Sequence, residues 1–155
     1  MRRRLSVLGE SRSEVGARAS VAWEAIADIA ARPAWHPRLE RSWLDGPLEV
    51  GTRGGLKPAG VRAVSLVVAE VMPERRLVLR GVHGLPVAAG HYEHEIEPLG
   101  ETRCAVTIRM RVDGVAAPLV RRFAGRMISA WAGEESLERL TVMIRERGAI
   151  ANSHT

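Results

Sequence analysis

The period of apolar and polar positions changes along this chain, and each change marks an element. In RLSVLGESRSEVG, residues 4–16, Leu5 and Val7 alternate with polar neighbours, which predicts a first strand. ARASVAWEAIADIA, residues 17–30, instead sets Val21, Trp23, Ile26 and Ile29 at helical spacing, with Ser20 or a neighbour as the cap. In ARPAWHPRLE, Pro33 and Pro37 bracket Trp35 and His36, so any helix there lasts a turn or two before the chain extends.

From Leu39 to Asp113 turn signals recur at hairpin spacing: Asp45-Gly46-Pro47, Pro58-Ala59-Gly60, Pro73-Glu74, His83-Gly84, Pro98-Leu99-Gly100 and Asp113-Gly114. They delimit extended segments at roughly 39–44, 51–57, 61–72, 75–83, 87–97 and 102–112. Sequential strands with short turns form an antiparallel meander. The last segment, residues 115–148, returns to helical spacing: Leu119, Phe123, Met127, Ala130, Leu137, Leu140 and Ile144 share one face, Pro118 suits its first turn and Gly148 its end. About thirty residues at ~1.5 Å each make a rod of roughly 45 Å, too long for one ordinary helix to cover. A curved sheet covers it. The prediction is an α+β chain, an antiparallel sheet wrapped around a long C-terminal helix, with short helices after the first strand.

Strand parity sorts the faces. Cys104, Val106, Ile108, Met110 and Val112 point to one side, Thr107, Arg109 and Arg111 to the other. In GHYEHEIEP the polar side is His91, Glu93, Glu95 and Glu97, which leaves Tyr92, His94 and Ile96 inside. Arg80 marks the outer side of RRLVLRGVH, so Leu77, Leu79, Gly81 and His83 face inward.

Composition adds bounds. At 155 residues and 46% hydrophobic, the chain is expected to be one domain, with a core from about residue 5 to 147 and a loose tail at 149–155. The net charge of +5 raises nucleic acid or anionic membrane as partners, but of 23 basic residues only Lys57 is Lys and the arginines are scattered, which reads as solvated surface. No apolar run approaches a membrane span or signal peptide, so the expectation is a cytoplasmic protein without nucleic-acid partner or stable membrane insertion, as a monomer or homodimer. A lone Cys104 excludes an internal disulfide and a cysteine-rich zinc site. His91, Glu93 and His94 are strand neighbours pointing to opposite faces, so no metal site is expected. GTRGGLK lacks the spacing of a phosphate-binding loop, no GxSxG elbow is present, and no cofactor is expected.

The segments AWEAIADIAARPAWHP, GPLEVGTRGGLKPAG, VMPERRLVLRG and HEIEPLGETRCAVTIRM, in this order, give the chain its resemblance. From about Leu5 to Arg147 it resembles the SRPBCC superfamily, and within it the bacterial polyketide cyclase/dehydrase and lipid-transport group related to START domains. The resemblance implies the helix-grip fold and a hydrophobic cavity between sheet and terminal helix, used across the superfamily to carry lipids, sterols or hormones or to cyclise poly-ketone chains. The sequence has no catalytic signature of the aromatase/cyclase enzymes at any particular position.

Within such a cavity Tyr92 and His94 are the first candidates, since a buried phenol and imidazole must find partners and a ligand oxygen could be one. His94 and Tyr92 are also the candidate proton-transfer pair if there is catalysis. His83 could join them from the neighbouring strand. The apolar lining would come from Leu77, Leu79, Val106, Ile108 and Met110 of the sheet and Phe123 and Met127 of the terminal helix. Trp131 lies on that helix's shoulder as a cap, Trp35 and His36 are candidates for the cavity's opening, and Trp23 reads as core. Glu134 falls inside the apolar arc but reads more simply as solvent-facing. The preferred function is binding, as carrier or sequestering protein, of a small hydrophobic lipid- or polyketide-like ligand. The alternatives are a polyketide cyclase/dehydratase-type enzyme and a protein-interaction module without ligand.

Overall fold

The computed structural model describes residues 6–82 and 89–153. In chain order these form β1 (Ser6–Val15), α1 (Ala19–Ala27), a 3₁₀ helix (Ile29–Ala34), β2 (Leu39–Leu44), β3 (Arg53–Pro58), β4 (Val64–Met72), β5 (Arg76–Gly81), β6 (Ala89–Pro98) and β7 (Cys104–Asp113). The chain continues as α2 (Ala117–Ser129), a 3₁₀ turn (Ala130–Ala132) and α3 (Glu134–Ser153). The predicted His83-Gly84 turn lies outside the described residues.

All seven strands join one antiparallel sheet in the order β1-β7-β6-β5-β4-β3-β2. The meander is thus as the turn spacing predicts, and β1 closes it by pairing with the last strand. Alternation places Val106 and Ile108, both at 0% exposure, on the inner side of β7, with Leu77 and Leu79 inside on β5. These side chains, with Ile26 of α1 and Leu137, Leu140 and Ile144 of α3, form the core. A sheet curled around its terminal helical segment, with two short helices after β1, is the helix-grip fold.

The terminal segment departs from a single rod. Gly133 is extended (φ −75°, ψ 162°) after a 3₁₀ turn, so α2 and α3 are separate helices. A 3₁₀ turn advances about 120° per residue against about 100° in an α-helix, and the extended Gly133 breaks the phase altogether. Leu137, Leu140 and Ile144 are therefore buried as predicted, whereas Leu119, Phe123 and Met127 are 59%, 78% and 63% exposed. The half-buried residues of α2 are small ones such as Val120 and Ala124, and this helix packs on β1 and β7. Contact there is close. A Cβ on Gly9, at the β1 bulge, would stand 2.8 Å from the Ser129 carbonyl oxygen. Gly148 does not stop the helix; α3 runs on to Ser153.

Candidate functional site

Three strands and one 3₁₀ helix converge on a polar cluster inside the apolar core. Strand register sets Leu77, His94 and Ile108 in one cross-strand row and Leu79, Tyr92 and Met110 in the next. Tyr92 and His94 are 4% and 1% exposed, and their rings meet edge to face at 4.3 Å between centroids. The 3₁₀ helix lies against them because its period of three turns Ile29, Arg32 and the C-cap Trp35 inward, where they join Ile26 of α1, each at most 4% exposed. Pro33 holds this segment away from regular α-helix.

Arg32 is the centre of the cluster. Its Nη1 donates to His94 Nε2 at 2.7 Å and its Nη2 to the Ile26 carbonyl at 3.2 Å, while the guanidinium lies 5.2 Å from the Trp35 ring and 5.4 Å from the Tyr92 ring. Its Nε–H and the indole N–H of Trp35 are buried without a hydrogen-bond partner. No carboxylate among the described residues forms an ion pair with it. Burial lowers its pKa to about 10, against a smaller opposing influence of Tyr92, so it stays a cation at neutral pH.

The histidine tautomers follow from these bonds. His94 accepts from Arg32 at Nε2 and donates from Nδ1 to the Leu77 carbonyl at 3.3 Å. His36 accepts the Arg38 backbone N–H at Nδ1 and donates from Nε2 to the Trp131 carbonyl, both at 3.3 Å. Burial and then the Arg32 charge bring His36 down to about 4 and His94 well below its usual value, so both imidazoles are neutral. Burial pushes the Tyr92 phenol up to about 12, with Arg32 pulling the other way.

The 3₁₀ turn of residues 130–132 closes over the cluster. The Trp131 carbonyl also accepts the Tyr92 hydroxyl at 3.2 Å, its ring lies 4.6 Å from that of His36, and Ser11 donates to the Ala132 carbonyl. Gly133 thus frees two carbonyls that the sheet and His36, just past the first 3₁₀ helix, take up.

Of the residues singled out in the sequence, Tyr92, His94, Leu77, Leu79, Val106, Ile108, Met110, Trp35, His36 and Trp131 come together here. Two placements differ from expectation. Trp35 and His36 are at 0% exposure, in the interior and not at an opening, because Trp35 packs on the Arg32 guanidinium and His36 on Trp131, whose carbonyl accepts its Nε2–H. Phe123 and Met127 lie on the outer face of α2, away from the sheet, for the reason of phase given above. Glu134 is exposed at the start of α3. His83 lies outside the described residues. Arg32 was not anticipated, because arginines as a class read as surface; the spacing of three from Ile26 through Ile29 to Trp35 is the signal that finds it.

The outer face of the same strands carries a different assembly. Glu93, 3% exposed in its side chain, meets Arg76 at 3.0 Å, Arg109 at 3.1 Å and Arg111 at 2.9 Å. Parity predicts its side of the sheet, but the arginines cover it. A groove of about 460 Å³ opens near the β4–β5 turn, lined by Met72, Arg75, Arg76, Glu95, Ile96, Glu97 and Thr107, apart from the inner cluster. Among the described residues no group of His, Cys, Asp and Glu is arranged to hold a metal ion, and no helix is long and apolar enough to cross a membrane.

Solved structures share this architecture. Norcoclaurine synthase from Thalictrum flavum, in complex with dopamine and hydroxybenzaldehyde, superposes with a TM-score of 0.71 at 14% identity, covering 93% of this chain and 88% of that one. The Zhui aromatase/cyclase from a Streptomyces species gives 0.68 at 18% identity, covering 93% and 94%. A solution structure from Thermobifida fusca gives 0.64 at 20% identity, covering 90% and 93%. At such identities the likeness is one of fold. No curated protein matches the chain in sequence. Residues 8–143, however, match the family described as polyketide cyclase / dehydrase and lipid transport. That match spans β1 to α3, and with the helix-grip architecture it makes this chain a member of the polyketide cyclase / dehydrase and lipid transport family, within the SRPBCC/START-like superfamily.

Proposed function

We infer that the protein binds a small hydrophobic ligand between the sheet and its C-terminal helical segments, with Arg32 and Trp35 donating to the ligand's polar end beside the rings of Tyr92 and His94. The observation that carries this reading is the pair of unsatisfied buried donors, Arg32 Nε–H and Trp35 Nε1–H, on two side chains that meet with the guanidinium 5.2 Å from the indole ring. A buried donor without an acceptor costs about 1–3 kcal/mol, and a ligand oxygen placed there recovers it. Apolar contact with Leu79, Val106, Ile108 and Met110 supplies the rest at about 25 cal/mol per Å² buried. Because the described side chains of the cluster touch one another, entry of a ligand requires the turn over Trp131 to move.

A cyclisation activity is the second reading, supported by the enzymes among the structural neighbours and by a phenol beside a fixed guanidinium, which together could stabilise a developing enolate. His94 is unsuited to the base of such a reaction: its Nε2 lone pair is occupied by Arg32 and its basicity is suppressed.

Native mass spectrometry of freshly purified protein, with thermal melts in the presence of apolar aromatic and aliphatic compounds, tests the binding reading. A co-purifying mass or a raised Tm is expected, weakened several-fold in Tyr92→Phe. A bare chain whose melting no compound moves would sink it. Turnover of a poly-ketone substrate that Tyr92→Phe abolishes would favour the second reading.

A further inference from the structure

We propose that the ligand is an acid: an apolar molecule carrying one carboxylate, or an enol of comparable acidity, whose oxygens pair with Arg32. This rests on the binding reading above and adds the chemistry of the polar end.

What the inner cluster lacks is a negative charge. Arg32 is wholly buried, and its described partners are an imidazole nitrogen, a backbone carbonyl and two aromatic faces, all of them neutral. His94 cannot compensate, since both its ring nitrogens are engaged and it carries no negative charge. His36 and Tyr92 are likewise neutral. A buried cation without an anion costs several kcal/mol even after relaxation. A ketone or alcohol would satisfy the free N–H groups and leave the charge where it is. A carboxylate answers both, because it accepts from more than one donor at once and carries the missing charge. Elsewhere this chain meets the same need internally: the other arginines that the sheet partly covers, Arg76 and Arg109, each meet several glutamates. Arg32 departs from the chain's own pattern, and its unpaired Nε–H is the donor left for the acid's oxygen, with the unpaired indole N–H of the neighbouring Trp35 as a second.

Two matched pairs test it: dodecanoic acid against dodecanol, and 2-naphthoic acid against its methyl ester, with binding followed by calorimetry and thermal shift. For at least one pair the acid is expected to bind about tenfold or more tightly than its neutral counterpart. Arg32→Met lowers affinity for the acid by the same factor. Arg32→Lys, which keeps the charge but not the fork, retains part of the preference and serves if the Met variant does not fold. Arg75→Met, at the exposed β4–β5 turn, keeps the full preference. Equal binding of acid and neutral compound overturns the proposal and leaves the binding reading standing. Acid preference that survives Arg32→Met also overturns it. A shift from inorganic phosphate alone, as large as that from the acids, overturns the apolar acid in favour of a small-anion site. If none of the four compounds binds, both readings fall together.

Discussion

Arg32 and Arg109 lie on opposite sides of the same sheet and show what a guanidinium needs. Arg109 is bonded to Glu10, Glu93 and Glu95. Burial alone would lower its pKa, but those carboxylates outweigh burial and raise it. Arg32 has burial and no carboxylate, and its pKa falls. The outer arginine is complete within the chain, so it requires nothing from outside to explain it. The inner one is incomplete, and the missing partner belongs on the concave side, away from the groove at the β4–β5 turn.

The greatest effect should come from breaking the complete side. Glu93→Ala removes the carboxylate that Arg76, Arg109 and Arg111 share and leaves Arg111 without one among the described residues, and urea unfolding should register a loss of about 3 kcal/mol, the lower end for a buried ion pair because the arginines are partly in water and two of them keep other glutamates. Ligand-induced shifts in Tm should persist in that variant. A loss below about 1 kcal/mol would mean the outer network is mere surface decoration.

Acidification strikes the inner side. Unfolded histidine takes its proton near pH 6.5, folded His36 only near 4, so the unfolded state binds more protons between those values and stability falls as pH drops through that window. Unfolding measured at pH 7 and pH 4.5 should differ by about 2 kcal/mol from His36 alone, with His94 adding in the same direction. His36→Gln should flatten the slope. An unchanged slope would place the titrating groups elsewhere.

Phe123→Ser should do least, within about 0.5 kcal/mol by thermal melting, because that ring lies in solvent on α2. It should leave ligand-induced shifts intact as well. A large loss there would show α2 turned inward, and the continuous rod restored.

The sheet was legible in the sequence because each strand is bounded by its own turn chemistry and its faces alternate strictly, as in Cys104 to Val112. Tyr92 and His94 followed from the same parity. The break after Ser129 was not legible, since Ala-Trp-Ala-Gly is compatible with helix and its departure depends on Tyr92, His36 and Ser11 taking up the freed carbonyls from distant elements. Arg32 is hidden because arginines as a class read as surface, and what keeps this one inside is His94 on a distant strand. Both misses lie where partners distant in sequence, not local preference, decide the outcome.

The tight seam at Gly9 has a consequence for variation in this chain. The oxygen that would collide with any side chain at position 9 belongs to Ser129, at the other end of the sequence. Even one methyl group on that edge strand would have to lever the terminal segment outward. The freedom of β1 to change at this position is therefore governed by the last residue of α2, far along the chain from it.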